Sequence, residues 1–309
     1  MNLASYKAGN NFKTFLLVAA LTGLLLAIGF LIGGASGILV FAVIAIIFNF
    51  AMYWFSGSMA LKMSRAVEVS PAEEPELHRM IATLAGRAGV PKPKVYVTPA
   101  EQPNAFATGR NPKHAAIAVT AGIQRALGPR ELEGVLAHEM GHIKNRDILI
   151  ASIAAMVAGA ISAIANFLQF SLFFGGDDDN PLGIIGTLAT IILAPIAAVI
   201  IQMAVSRQRE YVADATGAEL IGDPNPLADA LETLHRGAEA IPMRVNPSAA
   251  PLFIVNPLAA NARVANARGG RGGRGGGMTG LFSTHPPMEE RVARLRAMAG
   301  ASSLRIPTF

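Results

Sequence analysis

The chain has 309 residues, of which 52% are hydrophobic and 15% are charged, and its mean hydropathy is +0.41. These values exclude an ordinary soluble globular protein, in which about 25% of residues are charged, and they indicate a membrane protein. Disulfide bonds are excluded because the chain has no cysteine, and the net charge of +5 suits contact with anionic lipid.

The N-terminal region predicts two membrane spans. No charged residue occurs from Thr14 to Leu61, and a stretch of small residues interrupts this apolar run. Because a bilayer core requires about 20 helical residues, we expect spans at about 15–32 and 38–55. A cleaved signal peptide is the alternative for the first run, since Lys7 and Lys13 resemble its charged flank. The run is longer than the usual apolar region of about 7 to 15 residues, which favours a span.

Two short segments after the second span predict β-strands. They are Lys94–Thr98 and Ala115–Thr120, and the segment Asn104–Gly109 lies between them. An ordinary hairpin closed by residues 109–112 is one of the alternative interpretations of this middle segment.

The centre of the chain contains the motif His138-Glu139-Met140-Gly141-His142, which is typical of zinc hydrolases. Pro129 and the acidic residues after it predict the start of a helix. Residues four apart lie on one face of a helix, so His138 and His142 can both reach one ion at about 2.0 to 2.1 Å. Glu139 can then act as a general base toward water.

Two further spans are predicted at about 148–174 and 182–205, on either side of a polar turn. Lysine and arginine flank the outer ends of both span pairs, and the turns inside the pairs have none. This distribution predicts that both termini and the polar segments that flank the span pairs are cytoplasmic, and that the polar turn at 175–181 lies outside. Because the basic residues are spread along the membrane borders, we expect no nucleic-acid partner. The predicted spans have no Asp, Glu, Lys, Arg or His, which argues against ion transport.

A third metal ligand is expected, because a catalytic zinc site usually has three protein ligands and one open position. Glu210 and Asp214 follow the fourth span and share a helical face. Glu210 as the ligand, with Asp214 accepting a hydrogen bond from a ligand imidazole, would complete a site of two histidines and one glutamate. The alternative is a solvated face on which Glu210 pairs with an arginine, and spacing alone does not decide between them.

The segment Arg268–Gly277 alternates arginine with pairs of glycine and has low complexity. Such a segment cannot form a packed core. Similar tracts bind RNA in some proteins, but this one has no interleaved aromatic residue. We therefore interpret it as a flexible cytoplasmic loop.

Three blocks of sequence resemble HtpX-type bacterial membrane metalloproteases, which are relatives of the Oma and CAAX prenyl protease metalloenzymes. The resemblance extends to the order and spacing of motifs and spans over nearly the whole chain. The blocks are His138–His142 with Asn145 and Asp147 following, Arg209–Asp214, and Ser283–Pro287 followed by Glu290-Arg291 and Arg294-Leu295.

The resemblance implies roles for five residues. His138, His142 and Glu210 are expected to bind one zinc ion per chain. Glu139 is expected to be the catalytic carboxylate, and Asp214 is expected to support a ligand imidazole. The resemblance also implies a gluzincin-like domain that is interrupted by the second pair of spans.

The resemblance further implies a histidine in the cleft and a substrate-binding strand. His285 is expected to stabilise the oxyanion or to bind substrate, and a turn residue ahead of a proline is the alternative. The segment between the two predicted strands is expected to be an edge strand beside the active site, where it can pair with an extended peptide. Its substrate-binding residues would be Asn104, Ala105, Phe106 and Ala107.

The expected architecture is an α-helical membrane protein with four transmembrane helices and a cytoplasmic α+β gluzincin-like zinc metalloprotease domain. Residues 1–61 and 148–205 form transmembrane hairpins, and residues 62–147 and 206–309 form the two halves of the catalytic domain. The resemblance implies an endopeptidase of the bacterial inner membrane, with misfolded or damaged membrane proteins as its substrates, in quality control and stress response. A catalytically silent zinc-binding scaffold or regulator is the alternative, and an intact Glu139 argues against it.

Overall fold

The structure is a computed structural model that describes residues 3–154, 207–240, 254 and 286–303. Most of residues 148–205, together with Arg268–Gly277 and His285, lie outside the described residues. In chain order the helices and strands are α1 (Leu3–Met63), β1 (Val67–Glu68), α2 (Pro75–Ala88), β2 (Lys94–Thr98), β3 (Ala105–Gly109), a 3-10 turn (Pro112–His114), β4 (Ala115–Thr120), α3 (Ala121–Ala126), α4 (Pro129–Asn145), α5 (described for 148–154), α6 (Arg207–Ile221), α7 (Asn225–Ala240) and α8 (Met288–Ser303).

Helix α1 folds back on itself at Gly33 and Gly34. Both residues have non-helical dihedral angles, and φ of Gly34 is +58°, a conformation that glycine adopts without strain. The side-chain amide of Asn49 donates a hydrogen bond of 2.8 Å to the hydroxyl of Thr22. In a straight helix these residues would be about 40 Å apart, so the two parts of α1 form an antiparallel hairpin. Its turn lies where the sequence predicts the break between the first two spans.

The second part of α1, Gly33–Met63, is long and apolar enough to cross a membrane, with a mean hydropathy of 2.4. Within the described part of the chain this is the one helix that meets both criteria, and only 11% of its most apolar window is buried inside the protein. Large apolar side chains such as Leu39 and Ile46 are exposed on it. Of the predicted spans at 148–174 and 182–205, only the first turns of the former, residues 148–154, are described, and they are helical.

A four-stranded sheet with the order β1-β2-β4-β3 follows the apolar hairpin. Strands β2 and β4 are parallel, and β3 is antiparallel to β4 at the edge of the sheet. The two strands predicted at Lys94–Thr98 and Ala115–Thr120 are confirmed with those bounds. The segment between them does form a strand, Ala105–Gly109, which the sheet order places at an edge.

Helix α4 occupies the centre of the domain and is packed between the sheet, α2, α6 and α7. Its residues Val135 and Leu136 are fully buried, as are Ile81 of α2 and Leu231 of α7. These residues belong to one continuous hydrophobic core that also includes Ile117 of β4. The core therefore holds the helix with the zinc-hydrolase motif rigidly beside the edge of the sheet.

Candidate metal and catalytic site

Helix α4 begins where the sequence predicts it, with Pro129 in its first turn. The Glu131 carboxylate accepts a hydrogen bond of 2.8 Å from the amide of Gly128 and so satisfies one of the amides at the helix start. The helix ends at Asn145, and the φ of +62° at the following residue, Arg146, reverses the chain. Because the helix is anchored at both ends and buried in between, its polar side chains have defined positions.

The two histidines of α4 direct the same ring nitrogen toward a common point. Nδ1 of His138 lies 2.8 Å from Oδ1 of Asp214, and Nδ1 of His142 lies 3.1 Å from Oδ2 of Asp147. An ionised carboxylate can only accept, so each Nδ1 carries the proton in the neutral ring. Both Nε2 atoms are then available as ligands, and they lie 3.1 Å apart. Hydrogen bonds from ligand imidazoles to carboxylates are a regular feature of zinc sites.

Glu210 of α6 completes a group of three potential ligands. Its carboxylate oxygens lie 3.7 Å from Nε2 of His138 and 3.8 Å from Nε2 of His142. One ligand atom from each of the three residues lies within 4.8 Å of the others. Tetrahedral zinc with bonds of about 2.0 to 2.1 Å separates its ligand atoms by about 3.3 Å. The observed separations therefore fit a single ion with an open fourth position.

Two glycines allow the helices that carry these ligands to lie close together. A Cβ atom at Gly217 of α6 would lie 2.9 Å from the backbone nitrogen of His138. A Cβ atom at Gly141 of α4 would lie 2.9 Å from the carbonyl oxygen of Ala213. Larger residues at either position would separate α4 from α6 and move Glu210 away from the imidazoles.

Burial and neighbouring charged groups change the pKa of His142 and of Glu139. Burial alone would lower the pKa of His142, but the hydrogen bond to Asp147 and the nearby charge of Glu210 raise it to about 9. Burial raises the pKa of Glu139, and the two imidazoles offset part of that effect. A glutamate with a raised pKa is a stronger base than an exposed one, which suits general-base catalysis.

Glu139 contacts the edge strand directly. Its Oε2 accepts a hydrogen bond of 2.8 Å from the backbone amide of Ala107. Ala107 is one of the four residues expected to bind substrate, so this part of β3 does lie beside the motif. Asn104, from the same group, uses its side-chain oxygen to accept a hydrogen bond of 3.1 Å from the amide of Ile254. Ala105 and Phe106 are buried in β3.

Arg291 belongs to the third block that carries the resemblance, but the sequence analysis assigned it no role in the site. It is completely buried, and it donates two hydrogen bonds to Asp214, of 2.9 Å from Nε and 2.6 Å from Nη2. Its Nη1 donates to the carbonyl of Ile254 at 3.3 Å and lies 3.8 Å from Glu210. Burial alone would raise the pKa of Asp214, but the Arg291 guanidinium lowers it, so Asp214 remains an ionised acceptor for His138.

Asp147 also has a position that was not predicted. It follows α4 in the sequence block that carries the resemblance, but no role was assigned to it there. The turn at Arg146 brings the buried carboxylate of Asp147 back to the imidazole of His142. Each histidine of the pair thus has its own carboxylate partner.

Comparison with known proteins gives a family match over most of the chain. Residues 71–299 match Peptidase family M48. A "Protease HtpX homolog" from Persephonella marina is 54% identical over 293 residues, which cover 93% of this chain and 96% of that protein. A protein of the same description from Pelotomaculum thermopropionicum is 51% identical over 294 residues, covering 94% and 99%. The crystal structure of S. mikatae Ste24p aligns with a TM-score of 0.46 at 20% identity, over 94% of this chain and 67% of that one.

Proposed function

The chain belongs to peptidase family M48 and is an HtpX-type metalloprotease, and from that premise we propose that it is a zinc endopeptidase of the bacterial inner membrane. Its proposed substrates are misfolded or damaged membrane proteins and other unfolded polypeptides, which it cleaves at the cytoplasmic face in membrane-protein quality control and stress response. The observation that carries this proposal is the convergence of His138, His142 and Glu210 beside the carboxylate of Glu139.

Zinc is the proposed metal because two neutral imidazoles and one carboxylate are a ligand set of catalytic zinc sites. His138, His142 and Glu210 would hold it, and Asp214 and Asp147 would keep the imidazoles in the tautomer that leaves Nε2 free. When bound, zinc supplies a Lewis acid that polarises the substrate carbonyl and lowers the pKa of water.

The protein's own groups would perform the proton transfers. Glu139 takes a proton from the attacking water while the oxygen of that water bonds to the carbonyl carbon. The bond from carbon to nitrogen then breaks, and Glu139 returns the proton to the leaving amine. His285 is proposed to stabilise the negative charge that develops on the carbonyl oxygen.

The proposed membrane arrangement rests on the apolar hairpin of α1 and on the distribution of basic residues. Four spans at about 15–32, 38–55, 148–174 and 182–205 would make the protein multi-pass, with both termini cytoplasmic. The two halves of the catalytic domain, 62–147 and 206–309, would then meet at the cytoplasmic surface. The packing of α4 against both α2 and α6 supports such an assembly from two halves.

The proposal is tested by comparing Glu139→Gln with the wild-type protein on an unfolded membrane-protein substrate, with and without a metal chelator. We expect the substitution to lower kcat by about 10²- to 10⁴-fold, which is the usual contribution of a general base, and chelation to abolish cleavage by the wild-type protein. Glu76→Gln is the control, since this carboxylate is exposed on α2. Metal content, measured by elemental analysis, should be unchanged in both variants.

A catalytically silent zinc-binding scaffold is the competing function. It predicts one bound metal per chain but no cleavage that depends on Glu139. Equal cleavage by the Glu139→Gln and wild-type proteins would remove Glu139 from the mechanism and refute the proposal.

A further inference from the structure

The last turns of α1 pack against the catalytic domain. One face of this segment is buried at intervals of four residues, at Met52, Ser56 and Ala60. The hydroxyl of Thr98 in β2 donates a hydrogen bond of 2.8 Å to the carbonyl of Ser64, which directly follows the helix. A Cβ atom at Gly57 would lie 2.9 Å from Cα of Gly109, so the helix also touches the end of β3. The sheet is therefore held at a fixed height along the membrane helix.

The same part of α1 also carries exposed aromatic side chains. They are consecutive in the sequence, at Tyr53, Trp54 and Phe55. Tryptophan and tyrosine are enriched at the level of the lipid headgroups. The predicted span at 38–55 would be about 27 Å long as a helix, which is close to the roughly 30 Å of a bilayer core. Under the proposed topology, Trp54 then lies at the cytoplasmic headgroup layer.

Arg110 brings a positive charge to this level from a distant part of the sequence. It directly follows β3, and its guanidinium carbon lies 4.2 Å from the centroid of the Trp54 ring. Indole has no hydrogen-bond acceptor, so this contact leaves the N–H donors of Arg110 available. Among the residues that the structure describes, none forms an ion pair with Arg110 or accepts a hydrogen bond from it.

We propose that Arg110 and Trp54 form a binding site for the phosphate group of an anionic lipid in the cytoplasmic leaflet. The planar guanidinium can bind a phosphate through two parallel hydrogen bonds, and the Trp54 ring holds the guanidinium in place by a cation–π contact. Anionic lipids supply a negative charge at this height. The inference goes beyond the proposed proteolytic function and rests only on its membrane arrangement.

The surroundings of the site favour a lipid over inorganic phosphate. Phe50, one turn before Trp54, is exposed, and its ring centroid lies 5.8 Å from that of Trp54. An acyl chain can cover this apolar surface while its phosphate binds Arg110, and inorganic phosphate cannot. Because Gly109 is the last residue of β3, a lipid bound at Arg110 would also hold the end of that strand at the membrane surface.

The test uses the fluorescence of Trp54, which is the only tryptophan of the chain. The full-length protein is reconstituted in phosphatidylcholine vesicles with a minor fraction of brominated phosphatidylglycerol or, in a parallel sample, of brominated phosphatidylcholine. Bromine quenches tryptophan only at short range. We expect phosphatidylglycerol to be favoured beside Trp54 by about fivefold, the usual contribution of one basic residue at an anionic surface. Inorganic phosphate in the buffer should not reduce this preference, and its loss there would overturn the assignment to lipid.

Two substitutions separate a defined site from diffuse attraction. Arg110→Gln removes the cation from the Trp54 ring and should abolish the preference. Lys113→Gln is the matched control, because it removes the same charge from an exposed position of the same turn, and it should leave most of the preference intact.

Three outcomes decide the matter. Equal losses in the two variants would show diffuse attraction and overturn the inference. A wild-type protein without the preference would overturn it as well, and that measurement requires no variant to fold. Quenching of Trp54 by neither brominated lipid would instead overturn the proposed membrane arrangement, so the two failures are distinguishable.

Discussion

Replacement of the buried Arg291 by methionine should strongly destabilise the catalytic domain. Arg291 lies on α8 and donates two hydrogen bonds to Asp214. The same carboxylate also accepts a hydrogen bond from Nδ1 of His138. Methionine preserves much of the side-chain volume but removes the charge and all donors. The substitution therefore leaves Asp214 as a buried carboxylate with one remaining imidazole partner and no cation.

The size of the effect follows from burial. Removal of one partner from a buried ion pair costs about 3 to 5 kcal/mol, because an uncompensated charge remains in the interior. Asp214 is 4% exposed and lies in a region that also contains the carboxylates of Glu210 and Glu139. The attraction of the Asp214 carboxylate outweighs the effect of burial and raises the pKa of Arg291. Arg291 therefore stays charged throughout the accessible pH range. We therefore expect the full range of about 3 to 5 kcal/mol.

Arg294→Met is the matched control on the same helix. Arg294 is 56% exposed, pairs with Glu290 one turn away, and stacks on the ring of Tyr211 at 3.9 Å. The exposed ion pair contributes little because solvent screens it, and an exposed cation–π contact contributes about 0.5 to 1 kcal/mol. The free energy of unfolding, measured with denaturant on the metal-loaded protein in detergent micelles, should fall by at most about 1 kcal/mol.

A double variant separates the cost of the unpaired Asp214 carboxylate from the cost of altered packing at position 291. Asp214→Asn combined with Arg291→Met removes both charges, so it should be more stable than Arg291→Met alone. Zinc affinity, measured by competition with a chelating dye, should fall about 10- to 100-fold in Arg291→Met because His138 loses part of its support. A loss of stability no larger than that of Arg294→Met, with unchanged zinc affinity, would refute this reasoning.

Gly217→Ala should lower the free energy of unfolding by about 1 to 3 kcal/mol, since the added Cβ would press on the backbone of His138. The control Gly237→Ala, whose Cβ would meet nothing within 4 Å, should stabilise α7 by up to about 1 kcal/mol. Equal effects of the two substitutions in a denaturant titration would contradict the close approach of α4 and α6. Asp147→Asn should lower zinc affinity about 10- to 100-fold in a dye competition, and an unchanged affinity would show that this carboxylate does not support His142. Because the Asp147 hydrogen bond and the charge of Glu210 overcome burial and raise the pKa of His142 to about 9, zinc must displace a proton, and zinc affinity should fall about tenfold per pH unit below pH 9. In the metal-free protein, stability should change with pH in the opposite direction from zinc affinity. The stabilisation of the fold by protonated His142 is complete below pH 6.5 and is lost as pH rises toward 9. Thermal unfolding in the presence of chelator measures this change.

The parts of the fold that the sequence predicted are those set by local chemistry. Strands β2 and β4 were predicted with their observed bounds, because β-branched residues recur in both short segments and turn residues precede them. The turn in α1 follows from consecutive glycines, and the start of α4 follows from Pro129. The sheet order β1-β2-β4-β3 was not predicted, because strand pairing is non-local and β1 has only two residues, Val67 and Glu68.

In the candidate site too, local features were predicted from the sequence and non-local ones were not. The spacing of His138 and His142 is a local property of one helix, so composition and periodicity were sufficient to identify it. For Glu210, spacing left an exposed ion pair and a metal ligand as equal alternatives. The structure places this carboxylate within 4 Å of both imidazoles, which favours the ligand, and the glycine contacts between α4 and α6 are the physical cause. The donation from Ala107 to Glu139 had no sequence signal, because a backbone amide has the same chemistry at every residue.

Arg291 did have a signal, and its meaning depends on helix periodicity. Met288, Leu295 and Met298 pack on the core at spacings of seven and three residues, and Arg291 occupies the intervening position of the same stripe. A charged residue at such a position opposes burial of the helix unless an oppositely charged residue lies in the core beside it. That partner is Asp214, so the ion pair, together with the apolar stripe, determines how α8 docks. Because the same carboxylate accepts a hydrogen bond from His138, displacement of α8 would also alter the support of this proposed metal ligand.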